Sequence, residues 1–182
     1  DSMRIKSTLM DREAMDRALT RIAHEILEQH RGTDNLVLVG IQRRGVPMAR
    51  TLADKIEEFE GTRPLEGILD ITFYRDDLSL LTEHPIVRST NLPFDVNGKD
   101  IILVDDVLFT GRTVRAAIEA LFDLGRAASI QLAVMIDRGH RELPLRPDYV
   151  GKNVPTSKKE FISVSTMEFD GREAVELGEM ED

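Results

Sequence analysis

Two adjacent carboxylates, Asp105 and Asp106, end an apolar run and are followed at once by a loop carrying Thr110, Gly111 and Thr113. The whole segment reads IILVDDVLFTGRT over residues 101–113. Small hydroxyl residues and a glycine at a helix start present backbone N–H groups and the positive end of the helix dipole, which suits a phosphate. Two acids beside such a cradle suit a sugar's hydroxyls and a divalent ion. The chemistry is that of a phosphorylated sugar, held by Asp105, Asp106, Val107, Leu108, Phe109, Thr110, Gly111, Arg112 and Thr113. An acid pair alone fits a solvated turn equally well; the loop behind it is what favours phosphate. No G-x-x-x-x-G-K-[ST] run is present, which argues against a P-loop. A response-regulator receiver would not need a phosphate cradle directly after its acids.

Position follows from the elements around this segment. An apolar strand without alternation is buried on both faces, as in a parallel sheet. Its carboxyl end is where open α/β sheets bind ligands. Apolar residues Met15, Leu19, Ile22 and Ile26 recur at helical spacing after Asp11, a fitting N-cap, and Gly32 is a fitting stop. Leu36 to Ile41 reads as a buried strand, Val46 to Glu58 as a helix with Pro47 in its first turn, and Gly67 to Tyr74 as a second strand. Residues 80–97 lack a clean period and read mainly as an exposed loop. Arg112 to Leu124 reads as a helix stopped at Gly125, Ile130 to Ile136 as a buried strand, and residues 137–159 as an irregular polar stretch. Phe161 to Ser165 reads as a last strand, and residues 168–182 as an acidic tail with an edge strand at Ala174 to Leu177. The expected fold is α/β in one domain over residues 1–182: a mostly parallel twisted sheet flanked by helices, with right-handed crossovers. Asp1 and Ser2 precede Met3 and read as an addition ahead of the natural start.

Composition narrows the classes. A chain of 182 residues with 41% hydrophobic and 31% charged residues matches one soluble globular domain. No run reaches the length of a membrane span and no basic-plus-apolar leader is visible, so a membrane role is not expected. With no cysteine there are no disulfides and no thiol catalysis, in keeping with a reducing cytoplasm. A net charge of −9 argues against indiscriminate nucleic-acid binding but permits a local basic face. The four histidines lack zinc-motif spacing, and no Ser-His-Asp hydrolase motif is present.

Two further loops fall at strand ends in this topology. In Gln42 to Gly45, Arg43 and Arg44 offer guanidinium forks and Gly45 permits close backbone approach, both suited to pyrophosphate. By itself such a segment is more often a solvated basic turn; its place beside the cradle favours the ligand. Residues 73–79 could form a lid with Arg75 facing a leaving phosphate, or equally a solvated charged turn.

The acid-pair segment resembles the phosphoribosyl-pyrophosphate (PRPP) motif of type I phosphoribosyltransferases, with strand, acid pair, Thr-Gly-x-Thr loop and helix in that order. Residues 19–25 (LTRIAHE), 70–78, 104–115, 137–144 (DRGHRELP) and 151–157 (GKNVPTS) together resemble a narrower family. That family is the pyrimidine operon attenuator proteins that double as uracil phosphoribosyltransferases. The resemblance implies a type I phosphoribosyltransferase fold with a cover region over the sheet's carboxyl end. It implies transfer of ribose 5-phosphate from PRPP to uracil, giving UMP and pyrophosphate, with Mg²⁺ brought largely by pyrophosphate near Asp105 and Asp106. Asp105, Asp106 and Arg75 would be catalytic, and the loop at 42–45 would take pyrophosphate. Ile136, with Val134 and Met135, would wall the uracil ring, while Asp137 and Arg138 would meet its polar edge.

The same resemblance implies binding of the leader mRNA of pyrimidine genes when UMP or UTP is bound. Thr20, Arg21, His24, His140, Arg141, Arg146, Lys152 and Lys158 are the residues that would form the RNA face. From charge alone they are a scatter of solvated cations, and Tyr149 is the only aromatic among them for base stacking. On this reading Arg141 serves RNA and is dispensable for UMP synthesis. A homodimer or larger assembly is implied as well. A purine salvage phosphoribosyltransferase without an RNA role would keep the PRPP motif and remains the alternative.

Overall fold

The computed structural model describes residues 2–75 and 83–181. Six strands form the main sheet in the order β4-β3-β2-β5-β6-β7. They are β2 (Leu36–Ile41), β3 (Leu65–Arg75), β4 (Glu83–Asn91), β5 (Asp100–Leu108), β6 (Ser129–Asp137) and β7 (Tyr149–Asn153). All neighbours pair in parallel except β3 and β4, which are antiparallel.

The apolar runs split by parity between the two faces. Leu36, Leu38, Ile102, Val104, Ala133 and Met135 pack under α1 (Arg12–His30) and α2 (Gly45–Glu60). Val37, Val39, Ile101, Leu103, Leu132 and Val134 pack against residues of α3 (Arg112–Leu124) on the opposite side. A strand buried on both faces needs apolar residues at every position, so the absence of alternation is the expected signature. Helix ends follow local chemistry: the Asp11 carboxylate accepts from the Ala14 N–H at 2.8 Å, and Gly61 in the left-handed region closes α2.

Strand order reverses between β2 and β5. From β2 the chain crosses by α2 to β3 on one side, and β5 then returns to the other side of β2. A crevice opens at the carboxyl ends of strands at such a switch point. Residues 42–45 follow β2, and the acid pair with its loop ends β5.

A second sheet of three antiparallel strands, in the order β1-β9-β8, joins both ends of the chain. Its members are β1 (Met3–Met10), β8 (Glu160–Ser165) and β9 (Ala174–Met180), with a short helix α4 (Met167–Asp170) between the last two. Met10, Val164 and Val175 join the same apolar cluster as Ile22 and Leu38.

Three sequence expectations differ from the structure, and one strand was not foreseen. Residues 83–91 are a strand, not a loop, because Ile86 and Val87 pair with Thr72 and Ile71 along β3. The polar stretch after β6 contains β7, whose Tyr149 is 2% exposed. Strand β9 runs to Met180 and lies at the centre of its sheet rather than at an edge. Its unforeseen partner β1 is almost wholly exposed, and is held by the backbone ladder and by Arg4 and Lys6 facing Glu179 and Glu160. The acidic tail is thus met by two cations on β1.

Candidate functional site

Near the end of β5 each acid accepts the N–H of the residue that follows it. Asp105 Oδ1 accepts the Asp106 N–H at 2.8 Å, and Asp106 Oδ1 accepts the Val107 N–H at 2.8 Å. The Asp105 residue keeps some surface, but its carboxyl is set back in protein. Burial, and secondly the Asp106 charge, push the Asp105 carboxyl well above the usual carboxylate range. Full charge on Asp105 is therefore costlier than on a solvated carboxylate.

The cradle follows directly. Gly111 is at φ +94° and is the N-cap of α3, so the cap residue itself offers no side chain to the helix start. Thr110 Oγ1 accepts the Arg112 N–H at 3.3 Å. An uncapped helix start beside small hydroxyl side chains leaves N–H groups for an anion. Backbone bonds from Glu142 N and Leu143 N to the Thr110 carbonyl, at 2.9 and 3.3 Å, lash the cradle to the loop after β6.

Across the switch point sits the basic loop, whose Gln42–Arg43 peptide is cis. Gly45 was expected to admit a ligand, but the structure gives it another duty. It is buried, and a Cβ there would lie 2.2 Å from the Val104 carbonyl oxygen. The loop thus rests on β5, one residue before the acid pair. Arg44 pairs with Asp170 of α4 at 2.8 Å, and Arg43 lies over the Phe169 ring, its Cζ 4.6 Å from the centroid. Hydrogen bonding to Arg44 holds the Asp170 carboxyl below the usual range. Nothing local to the MEFD segment announces these contacts; they depend on the hairpin-like return from β8 to β9.

Several expected site residues take other roles. Val134, Met135 and Ile136 are each 0% exposed, so they belong to the core and cannot wall a base. Arg138 is 8% exposed; it donates to Thr156 Oγ1, Ser157 O and Glu160 O and lies 4.0 Å from the Phe109 ring centroid. It seats the cover region on the cradle loop rather than offering an edge to uracil. Asp137 is tied to Arg141 at 2.7 Å, with side chains 14% and 20% exposed.

Arg141 also donates to the Phe109 and Leu145 carbonyls, each at 2.7 Å. One guanidinium therefore joins the cradle, the segment after β6 and the cover loop. Arg141, expected on an RNA face, thus also braces the loop that precedes α3. His140 is turned inward as well, its Nε2 2.5 Å from the Thr156 carbonyl.

Among the remaining RNA candidates, Arg21 binds the Val150 and Gly151 carbonyls and Glu25, which brings α1 against β7. Thr20 and His24 line the same shallow surface, and the His24 ring stacks on Phe59 at 4.1 Å. Lys152 is exposed on β7, near that edge. Arg146 lines a hollow with Val114 and Ile118 of α3, on the other face of the sheet. Tyr149 cannot stack on RNA, since it is buried with its hydroxyl within hydrogen-bond distance of the Gln29 and Gln131 Oε1 atoms. Burial pushes its phenol up to about 12. Arg75 closes β3 in the backbone, and its side chain and the lid expected at 76–79 lie outside the described residues.

Comparisons with known proteins agree with this geometry. The phosphoribosyl transferase domain family model matches residues 6–170. A bifunctional protein PyrR of Acetivibrio thermocellus is 60% identical, covering 97% of this chain and 96% of its own. Its counterpart in Caldicellulosiruptor bescii is 64% identical over 95% of both chains, and that of Clostridioides difficile is 59% identical over 96% and 98%. Among solved structures, a hypoxanthine-guanine phosphoribosyltransferase of Bacillus anthracis superposes with TM-score 0.76 at 18% identity, covering 98% of this chain and 100% of that one. A hypoxanthine phosphoribosyltransferase of Staphylococcus aureus gives TM-score 0.75, also at 18% identity, over 98% and 92%. At that identity the likeness is one of fold.

Proposed function

The chain belongs to the bifunctional PyrR family, within the phosphoribosyl transferase domain family, and on that premise we propose that it is both a uracil phosphoribosyltransferase and a UMP- or UTP-dependent RNA-binding attenuator of pyrimidine genes. The observation that carries the catalytic half is the switch-point crevice, where the basic loop rests on β5 beside the acid pair and its phosphate cradle.

Uracil N1 forms a bond to the anomeric carbon of PRPP while the bond from that carbon to pyrophosphate breaks, and the N1 proton passes to the departing pyrophosphate or to solvent. The carbon gains positive character as pyrophosphate departs, so the protein acts by electrostatics and positioning. Thr110, Gly111 and Thr113 at the start of α3 take the 5′-phosphate. Asp105 and Asp106 hold the ribose hydroxyls, with one carboxyl of the pair protonated more readily than a free acid. Arg43 and Arg44 meet the leaving pyrophosphate.

Among the described residues no group of three or more acidic or histidine side chains gathers. Two carboxylates fit an ion that keeps water and phosphate oxygens in most of its shell, as Mg²⁺ does. When bound, Mg²⁺ would neutralise charge on pyrophosphate, with Asp105 and Asp106 as its protein contacts.

The regulatory half rests on family membership and on the Thr20, His24 and Lys152 surface beside β7. Nucleotide occupancy reaches the RNA-competent state only if the nucleotide binds that state more tightly. The chain acts in the cytoplasm as a homodimer or larger assembly; among the described residues no helix is long and apolar enough to cross a membrane.

Pyrophosphate release from PRPP, with uracil, hypoxanthine, guanine, adenine and orotate offered separately with and without Mg²⁺, tests the reading. Release with uracil alone and only with Mg²⁺ is the expected result. Release with a purine alone would replace it by purine salvage on the same fold.

A further inference from the structure

Both arginines of the basic loop are met by α4, which lies outside the parallel sheet. Arg44 Nη2 donates to Asp170 Oδ1 at 2.8 Å and Nε to Oδ2 at 3.2 Å. The Thr166 N–H donates to the same Oδ2 at 2.8 Å, so the carboxylate is itself fixed. Arg43 lies over the Phe169 ring at 4.6 Å.

The direction of the Arg44 pair decides what it can do. A guanidinium has five N–H donors in a planar fork. The carboxylate here takes Nε and one N–H of Nη2, which is the side of the group. Its end, formed by Nη1 and the other N–H of Nη2, remains able to bind phosphate oxygens in pairs. An end-on carboxylate would compete with a phosphate for the same donors. A side-on one sets the plane of the guanidinium and leaves the binding edge. Hydrogen bonding to Asp170 raises the Arg44 pKa, and the Asp106 charge adds least to that rise.

We propose that Asp170 and Phe169 are positioning residues for the pyrophosphate leaving group, Asp170 fixing the plane of Arg44 and Phe169 seating that of Arg43. This rests on the reading that residues 42–45 hold the pyrophosphate of PRPP. Ordering both long side chains before the ligand arrives lowers the entropy lost on binding. Neither residue touches substrate; each acts through an arginine.

The test is calorimetric titration of the full-length protein with inorganic pyrophosphate and Mg²⁺, and separately with UMP. Asp170→Asn offers one acceptor where two are needed and turns an amide N–H toward a guanidinium N–H. It should weaken pyrophosphate binding about tenfold, by loss of a charge-assisted pair, and leave UMP affinity unchanged. Asp170→Glu should restore most of that loss, and Phe169→Leu should weaken pyrophosphate binding about two- to fivefold through the lost cation–π contact. In turnover assays the KM for PRPP should rise more than kcat falls.

Pyrophosphate bound as tightly or more tightly by Asp170→Asn would overturn the proposal, since the carboxylate would then be a bystander or a competitor. Equal losses for pyrophosphate and UMP would also overturn it, because they mark general damage. If Asp170→Asn does not fold, Phe169→Leu and Asp170→Glu decide the matter by the same comparison. A wild-type protein that binds pyrophosphate but transfers nothing to uracil would refute the uracil reading and leave this proposal standing. One that binds no pyrophosphate would refute both.

Discussion

Gly45→Ala adds a single methyl group where the basic loop meets β5. The new Cβ would lie 2.2 Å from the Val104 carbonyl oxygen, 3.1 Å from its carbon and 3.2 Å from Asp105 Cα, while ordinary contact begins at 3.4 Å. These are backbone atoms in the middle of the sheet, so the loop must retreat by about 1 Å, because packed interiors do not give locally. Overpacking of this kind costs about 1–3 kcal/mol. At about 2–4 °C per kcal/mol for a chain of this size, the midpoint should fall by roughly 2–12 °C. The same retreat carries Arg43 and Arg44 away from the acid pair. A misplacement of about 1 Å costs on the order of 10²-fold in turnover, or about 2.7 kcal/mol of barrier. Thermal scans and initial rates of pyrophosphate release, at varied PRPP and varied uracil, measure both effects. The uracil dependence should change less than the PRPP dependence. A variant with an unchanged midpoint and kcat/KM for PRPP within about twofold of wild type would refute the claim that β5 sets the position of the loop.

Asp105→Asn should raise thermal stability at neutral pH while depressing turnover. The folded Asp105 carboxyl is raised, so its contribution to stability is full below its unfolded pKa and is lost as pH rises through the folded value. Midpoints of the two proteins should converge toward the ordinary carboxylate range, and an advantage of the variant over wild type no larger at neutral pH than at acid pH would contradict that sign. Arg141→Gln should lower the melting point and UMP synthesis together with RNA binding. It leaves Asp137 without its ion pair and the Phe109 and Leu145 carbonyls without a donor, at about 2–3 kcal/mol. Full activity at an unchanged melting point would return Arg141 to the RNA face alone.

Sequence alone determined the features that are local in the chain. The apolar runs at 36–41 and 101–104 had to be strands buried on both faces, and the Asp-Asp and Thr-Gly-x-Thr order had to sit at a strand end before a helix. Those signals survive because each depends on the period and turn chemistry of a few consecutive residues.

Tertiary structure decided what joins distant residues. Strand β1 is almost wholly exposed, and its place is set by β9, from the far end of the chain, which supplies its backbone partners. Val134, Met135 and Ile136 looked like a wall for the base, but the apolar clusters on the two faces of the sheet enclose them. Arg138 and Arg141 are cations by composition; their burial among carbonyls turns them into struts. Phe169 and Asp170 carry no motif, and reach the basic loop only because β8, α4 and β9 fold back over it. Side-chain role is set by the neighbours that burial and hydrogen bonding assemble, and those neighbours lie tens of residues away in the chain.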